Sequence, residues 1–89
     1  MAITPALAAD GDGRAVLAWS QRVDEQRAVV TAAWRRPDGS WSAPAPISDG
    51  QAYAFYPSIA VAGNELRVVW TEIRARSTSV RAAVVRPSE

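Results

Sequence analysis

The chain has 89 residues and a net charge of +1, and it contains neither cysteine nor histidine. A chain of this length forms at most one small domain, which is marginally stable unless it is crosslinked or oligomeric. The missing residue types exclude a disulfide framework, a conventional zinc site and a histidine-dependent catalytic triad. We therefore expect no bound metal and no cofactor.

The first part of the chain is predicted to form short strands that are separated by polar turns. Strands are expected over residues 4–9, 14–20 and 27–35, where small, β-branched and aromatic residues predominate. The turn at 10–13 is rich in Asp and Gly, and the polar stretch 21–26 is expected to be a loop. The β-branched run within 27–35 argues against a helix there.

The next segment is predicted to be a turn followed by an edge strand. Residues 36–39 read Arg-Pro-Asp-Gly, which is a strong turn signal. Residues 40–48 are expected to be extended, and the two prolines Pro44 and Pro46 confine them to the edge of a sheet. A turn at 49–51 then closes the first unit.

The second part of the chain resembles the first. Its central stretch, 56–72, is predicted to be a strand, a Gly-Asn turn and a second strand. The aligned pairs are Pro5 with Pro57, Trp19 with Trp70, Ala32-Ala33 with Ala82-Ala83, and Arg36-Pro37 with Arg86-Pro87, at spacings of 52, 51, 50 and 50 residues. An internal repeat of about 50 residues that consists of short strands is typical of β-propeller blades.

The strands are small or apolar on both faces rather than on one. In the second strand, Leu17 and Trp19 share one face while Val16 and Ala18 share the other. This pattern is expected when each sheet is stacked between two neighbouring sheets. We expect Trp19 and its counterpart Trp70 to belong to the core.

These residues resemble the repeats of sialidase-like, or BNR-type, β-propeller proteins of bacteria. The resemblance covers nearly the whole chain. In the first unit it lies at Pro5, Trp19, Ala32, Ala33, Arg36, Pro37, Gly39, Trp41, Pro44 and Ile47; in the second it lies at Pro57, Ile59, Trp70, Ala82, Ala83, Arg86 and Pro87. The resemblance implies an all-β fold and a secreted or cell-surface protein. Any export signal is expected to lie outside this chain, because its N-terminus lacks the features of a signal peptide.

Two domains are predicted on this basis. Residues 1–50 would form one propeller blade of four antiparallel strands, and residues 51–89 would form a second blade of three strands, with the fourth missing or borrowed. Because propellers have about four to eight blades, two blades cannot close a ring. We expect three or four copies to close it by homo-oligomerisation, the alternative being that the chain is a piece of a longer propeller.

Several residues are candidates for ligand binding. Trp41 could stack against a sugar, and Trp34, whose counterpart in the second unit is Val84, could have a local binding role. Tyr53 and Tyr56 lie in the segment that links the blades, which is expected to be a loop. Glu72 ends a strand beside the basic residue Arg74. Packing in the groove between blades is the alternative for Trp41, and packing over strand ends is the alternative for the tyrosines.

The predicted function is structural: a self-assembling two-blade fragment that is not an enzyme. A lectin with sugar sites between blades is the alternative, and a sialidase-like glycosidase fragment is a distant third, because no spacing brings its catalytic residues together. The basic residues Arg74, Arg76 and Arg81 suggest a solvated rim rather than a nucleic-acid site, since net charge is near zero. No membrane span is expected, because no apolar run is long enough. A glycan remains a candidate partner.

Overall fold

The computed structural model describes residues 5–9, 13–62 and 65–85. The fold over these residues is all-β, which confirms the predicted class. None of the described segments is a helix that could cross a membrane. The strands are β1 (Ala6–Ala9), β2 (Ala15–Arg22), β3 (Ala28–Arg35), β4 (Ala45–Pro46), β5 (Tyr53–Ala62), β6 (Glu65–Arg74) and β7 (Ser77–Val85).

The strands form two antiparallel groups, which we call the first half-sheet (β1–β4) and the second half-sheet (β5–β7). Within each group, strands that are consecutive in sequence are neighbours in the sheet. One parallel pair, Ala28 with Tyr53, joins the two groups into a single open sheet of seven strands. The sheet does not close on itself.

Each half-sheet has two faces, because side chains alternate along a strand and directly opposite residues share a face. We name as front the faces that carry Trp19 and Trp70, and as back the opposite faces. In the first half-sheet the front carries Leu7, Leu17, Trp19 and Ala33, and the back carries Ala8, Val16, Ala18, Val30 and Ala32. In the second half-sheet the front carries Ile59, Val68, Trp70 and Ala83, and the back carries Val69, Val80, Ala82 and Val84.

The back of the first half-sheet packs on the front of the second. The buried cluster draws on both: Val16, Ala18, Val30, Ala32, Ala54, Leu66, Val68, Trp70 and Val85. Strand β5 lies against β1 and β2 without pairing with them. The hydroxyl of Ser20 donates a 2.7 Å hydrogen bond to the carbonyl of Ala54, which fixes the two layers at this point. The core is therefore the layer between the half-sheets.

The pairing registers of the two half-sheets match. Trp19 lies opposite Thr31, and 51 and 50 residues further on, Trp70 lies opposite Arg81. The same spacing relates every pair in β2–β3 to a pair in β6–β7. Corresponding residues therefore occupy corresponding faces in the two half-sheets.

The predicted strands lie close to the observed ones but differ in extent. Strand β2 continues to Arg22, beyond the predicted end at Ser20, and β6 continues to Arg74, beyond the predicted end at Glu72. In the predicted edge strand 40–48, only Ala45 and Pro46 form a strand, with an isolated bridge between Trp41 and Arg35. Its prolines lack the N–H groups that a continuous ladder needs. The predicted Gly63-Asn64 turn and the Arg86-Pro87 pair lie outside the described residues.

Two predictions about aromatic residues were wrong. Tyr53 and Tyr56 belong to strand β5 and not to a linking loop, because a bulge between Phe55 and Ser58 lets the strand continue past the proline. Trp19 is only partly buried, on the outward front of the first half-sheet, whereas Trp70 is buried as expected. The layer that covers Trp70 has no counterpart over Trp19 in the described chain.

Candidate functional site: the cleft beside Trp70 and Glu72

The site begins with two side chains on the front of β6. Trp70 and Glu72 are two residues apart, so both point toward the first half-sheet, and each is only 4% exposed. The indole nitrogen of Trp70 donates a 2.9 Å hydrogen bond to Oε2 of Glu72. Glu72 is the only buried charged residue among those described. A buried carboxylate is costly unless it is hydrogen-bonded and paired.

Two guanidinium groups flank this carboxylate. Arg74 and Arg81 each place a nitrogen 3.7 Å from Oε1 of Glu72. Arg74 lies two residues further along β6, and Arg81 lies opposite Trp70 on β7, so both are on the same face as Glu72. Both side chains are about half exposed, and they bring positive charge to the carboxylate from its solvent side.

Arg74 also links the second half-sheet to the turn that follows β4. Its guanidinium lies 2.9 Å from Oδ2 of Asp49. The backbone N–H of Gln51 and the Arg74 guanidinium hold the pKa of the Asp49 carboxyl below its usual value. The same contact with Asp49 raises the pKa of Arg74. Arg74 is therefore shared between the carboxylates of Asp49 and Glu72.

Asp49, Trp70, Glu72 and Arg81, but not Arg74, line a cleft of about 220 Å³ between the half-sheets. Its lining consists of Ile47, Ser48, Asp49, Trp70, Glu72, Arg81, Ala82 and Ala83. The hydroxyl of Ser48 accepts a hydrogen bond from the N–H of Val30 and belongs to the sheet framework. The cleft offers guanidinium donors and carboxylate acceptors side by side, which is the chemistry that suits a small ligand with several hydroxyl groups.

A second hollow, of about 500 Å³, lies at the strand ends near the β6–β7 turn. Tyr53 and Arg74 line it together with Glu25, Gln26, Arg27, Gln51, Ala52, Ile73 and Ala75. Arg27 is held 2.9 Å from Asp24 within the β2–β3 loop. Arg74 thus contributes to the second hollow as well as to the flank of Glu72.

The remaining predicted site residues lie elsewhere. Trp34 is partly buried and packs against the core cluster. Trp41 is half exposed beside Arg35, at the edge of the first half-sheet. Tyr56 is 70% exposed, has a positive φ of 53° and meets Phe55 edge-on with ring centroids 4.7 Å apart. The structure brings together Glu72 with Arg74, and Arg74 with Tyr53, but none of these with Trp34, Trp41 or Tyr56.

Sequence reasoning missed three members of the site: Asp49, Trp70 as a hydrogen-bond donor, and Arg81. A signal for the Trp70 bond was present in the sequence. Trp70 and Glu72 have the spacing of Trp19 and Gln21, and Trp19 donates a 3.2 Å bond to Gln21 in the first half-sheet. Acceptors two residues after both aligned tryptophans could have indicated the pairing. The described residues hold no group of three or more acidic, His or Cys side chains that could bind a metal ion.

No protein-family model, curated protein or solved structure matches the chain. The resemblance to sialidase-like propeller repeats therefore rests on the aligned residues of the sequence alone.

Proposed function

We propose that the chain is a structural, non-catalytic unit that assembles with copies of itself, each copy supplying two blades of a β-propeller. The observation that carries the proposal is the order of the faces. Inside the chain, a back face packs on a front face, and the two faces left outside are again one front and one back. Copies can therefore stack by repeating the contact that already exists within each chain.

The outward faces have side chains similar to those of the buried ones. The buried front carries Trp70 and Val68, and the outward front carries Trp19 and Leu17 at the corresponding positions. Leu7, on the edge strand β1 of the outward front, is 66% exposed. Apolar groups that recur across one face, rather than singly, are typical of a surface that another protein covers.

The outward back face is also apolar. It carries Val69, Val80, Ala82 and Val84, which correspond to Ala18, Val30, Ala32 and Trp34 of the buried back face. Val80 is 69% exposed, whereas its counterpart Val30 is completely buried by the second half-sheet. This difference in exposure between matching positions supports the proposal that another copy covers Val80 in the assembly.

A front-to-back contact between copies is heterologous, so it generates a ring if the rotation closes and a filament if it does not. Three copies would supply six blades and four copies eight, both within the known range for propellers. We propose a closed ring of three or four copies. The expected species by size exclusion with light scattering has three or four times the 9.6 kDa chain mass. A monomer at micromolar concentration would contradict the proposal.

A pair of single substitutions tests the front-to-back geometry. Leu7→Glu places a charge on the outward front, and Val80→Glu places one on the outward back, so each variant retains one intact face. Each variant alone should be monomeric, and an equimolar mixture should form a complex of two chains through the intact faces. Val23→Glu, at an exposed apolar position in the β2–β3 loop, is the matched control and should assemble like the wild type. A mixture that stays monomeric would exclude the heterologous contact.

Carbohydrate binding is a second candidate, and the observation that favours it is the cleft between the half-sheets. A lectin with sites between blades would use the Arg81 guanidinium and the Glu72 carboxylate to hold sugar hydroxyls. A glycan array would identify the sugar. Arg81→Ala should then abolish its binding, while Trp41→Ala, outside the cleft, should leave it unchanged. No glycan retained by the wild-type protein would leave self-assembly as the remaining function.

A further inference from the structure

Strand β7 has an unpaired outer edge. It pairs with β6 on one side, and no other strand of the described chain pairs with it. Eight of the side chains along it, from Ser77 to Val84, are exposed or partly exposed. An uncovered edge presents backbone N–H and C=O groups that can pair with another extended segment.

The corresponding edge of the first half-sheet is covered by the segment 41–48. The N–H of Ser42 donates to the carbonyl of Trp34 at 2.8 Å, and the N–H of Ile47 donates to the carbonyl of Val30 at 2.8 Å. The serine hydroxyls accept in the other direction: Ser42 from the N–H of Trp34 and Ser48 from the N–H of Val30, both at 3.0 Å. The N–H and the C=O of both Val30 and Trp34 are thus hydrogen-bonded to this segment.

The matching registers of the two half-sheets identify the corresponding positions on β7. Val30 lies opposite Ser20 as Val80 lies opposite Thr71, and Trp34 lies opposite Val16 as Val84 lies opposite Arg67. Because alternate residues of a strand direct their backbone groups to the same edge, Val80 and Val84 direct theirs away from β6. Both side chains are also among the exposed large hydrophobic residues.

We propose that the outer edge of β7 is a binding site for an extended polypeptide segment of the type Trp-Ser-x-Pro-x-Pro-Ile-Ser, supplied by a partner. The two serines and the isoleucine of this segment would form hydrogen bonds with the backbone N–H and C=O groups of Val80 and Val84. Ser42, Ile47 and Ser48 form the same bonds with Val30 and Trp34 of β3. Ile47 packs against the core beside Val30, so the partner's isoleucine would cover Val80. The prolines suit an edge, because they carry no N–H that would be left unpaired. The proposal does not depend on ring formation.

The test is a titration of the ¹⁵N-labelled chain with a synthetic peptide of residues 38–51, followed by NMR. We expect saturable shifts centred on the amides of Val80 and Val84, with slower hydrogen exchange at both. The control peptide is N-methylated at the residues that match Ser42 and Ile47. It keeps every side chain but loses two donors, so its affinity should fall at least about fivefold.

A variant of the chain provides the complementary control. Val80→Pro removes one outward N–H, and proline is tolerated at an edge, so the variant should fold and bind the peptide more weakly. If that variant does not fold, the methylated peptide alone decides the question.

Three results would overturn the proposal. The first is no saturable shift at millimolar peptide. The second is a shift centred on Val30 and Trp34, which would mean that the peptide only exchanges with the chain's own segment. The third is protection of Val80 and Val84 without peptide in a dimer, which would mean that the β7 strands of two copies pair with each other.

Discussion

The indole N–H of Trp70 and the carboxylate of Glu72 are joined by a 2.9 Å hydrogen bond along the buried front face of β6. Trp19 and Gln21 form the same bond, at 3.2 Å, on the outward front face of β2. The two pairs occupy matching positions in register. Their different environments therefore follow from what covers them: the first half-sheet lies over Trp70, and no described layer lies over Trp19.

Replacing Glu72 separates its role as an acceptor from its charge. Glu72→Ala leaves the buried N–H of Trp70 without an acceptor, and should lower the free energy of unfolding by about 1–3 kcal/mol. Glu72→Gln keeps an acceptor, as Gln21 provides for Trp19, and should cost less. Urea unfolding of both variants measures the difference. Equal losses would mean that the charge beside Arg74 and Arg81, and not the hydrogen bond, matters.

Truncating the two aligned tryptophans should have unequal effects. Trp70→Ala empties a fully packed position in the core and should destabilise the chain by about 3–5 kcal/mol. Trp19→Ala removes a partly buried ring from an outward face and should cost clearly less in the Leu7→Glu background, which is expected to be monomeric. Thermal melts of the two variants in that background make the comparison. If Trp70→Ala melts like the wild type, the packing of Trp70 does not stabilise the core.

The strands could be predicted because the local signals agree with one another. Alternation in β2, the β-branched run in β3 and the Asp-Gly turns all indicate short strands. The extent of β5 could not be predicted. Tyr56 precedes a proline and has a positive φ, so only the pairing of β5 with β6 on both sides of the bulge keeps it within the strand.

The candidate site was predicted only in part. Glu72 and Arg74 follow each other along one strand, so their proximity is a local property that sequence can reveal. Arg81 lies near Glu72 because of the β6–β7 register, and Asp49 contacts Arg74 because of the packing between the half-sheets. Such contacts between distant segments depend on the tertiary fold, and a single sequence carries little information about them.

The turn between β6 and β7 contains a correctable strain. Arg74 lies opposite Ser77, so the turn has two residues, and the first of them, Ala75, has a positive φ of 55°. A residue with a Cβ pays for this conformation, whereas glycine adopts it freely. Ala75→Gly should raise the free energy of unfolding by up to about 1 kcal/mol, after the greater entropy of the unfolded chain is counted.

The matched control for this change is Ala60→Gly, at an exposed position within β5 that has no positive φ. It should destabilise the protein by about 0.5–1 kcal/mol, because glycine weakens a strand where no strain is relieved. Both effects can be read from chemical denaturation midpoints. A loss of stability in both variants would show that the turn does not require the positive φ.

The contact between Asp49 and Arg74 should make stability depend on pH in the acid range. The pKa of Asp49 lies below its usual value of 3.8 in the folded chain, because the N–H of Gln51 and the guanidinium of Arg74 favour its charged form. A lowered folded pKa gives a stabilisation that is present above the unfolded pKa and is lost as pH falls through the folded pKa.

The variant Asp49→Asn tests this dependence, because it keeps an acceptor for the N–H of Gln51 but removes the charge. The wild type should therefore be more stable than Asp49→Asn above about pH 4, and the gap in melting temperature should shrink toward zero below the lowered pKa. Added salt should narrow the same gap at neutral pH, because the pair is exposed. A gap that stays constant from pH 2 to pH 7 would mean that the carboxylate of Asp49 is not linked to folding.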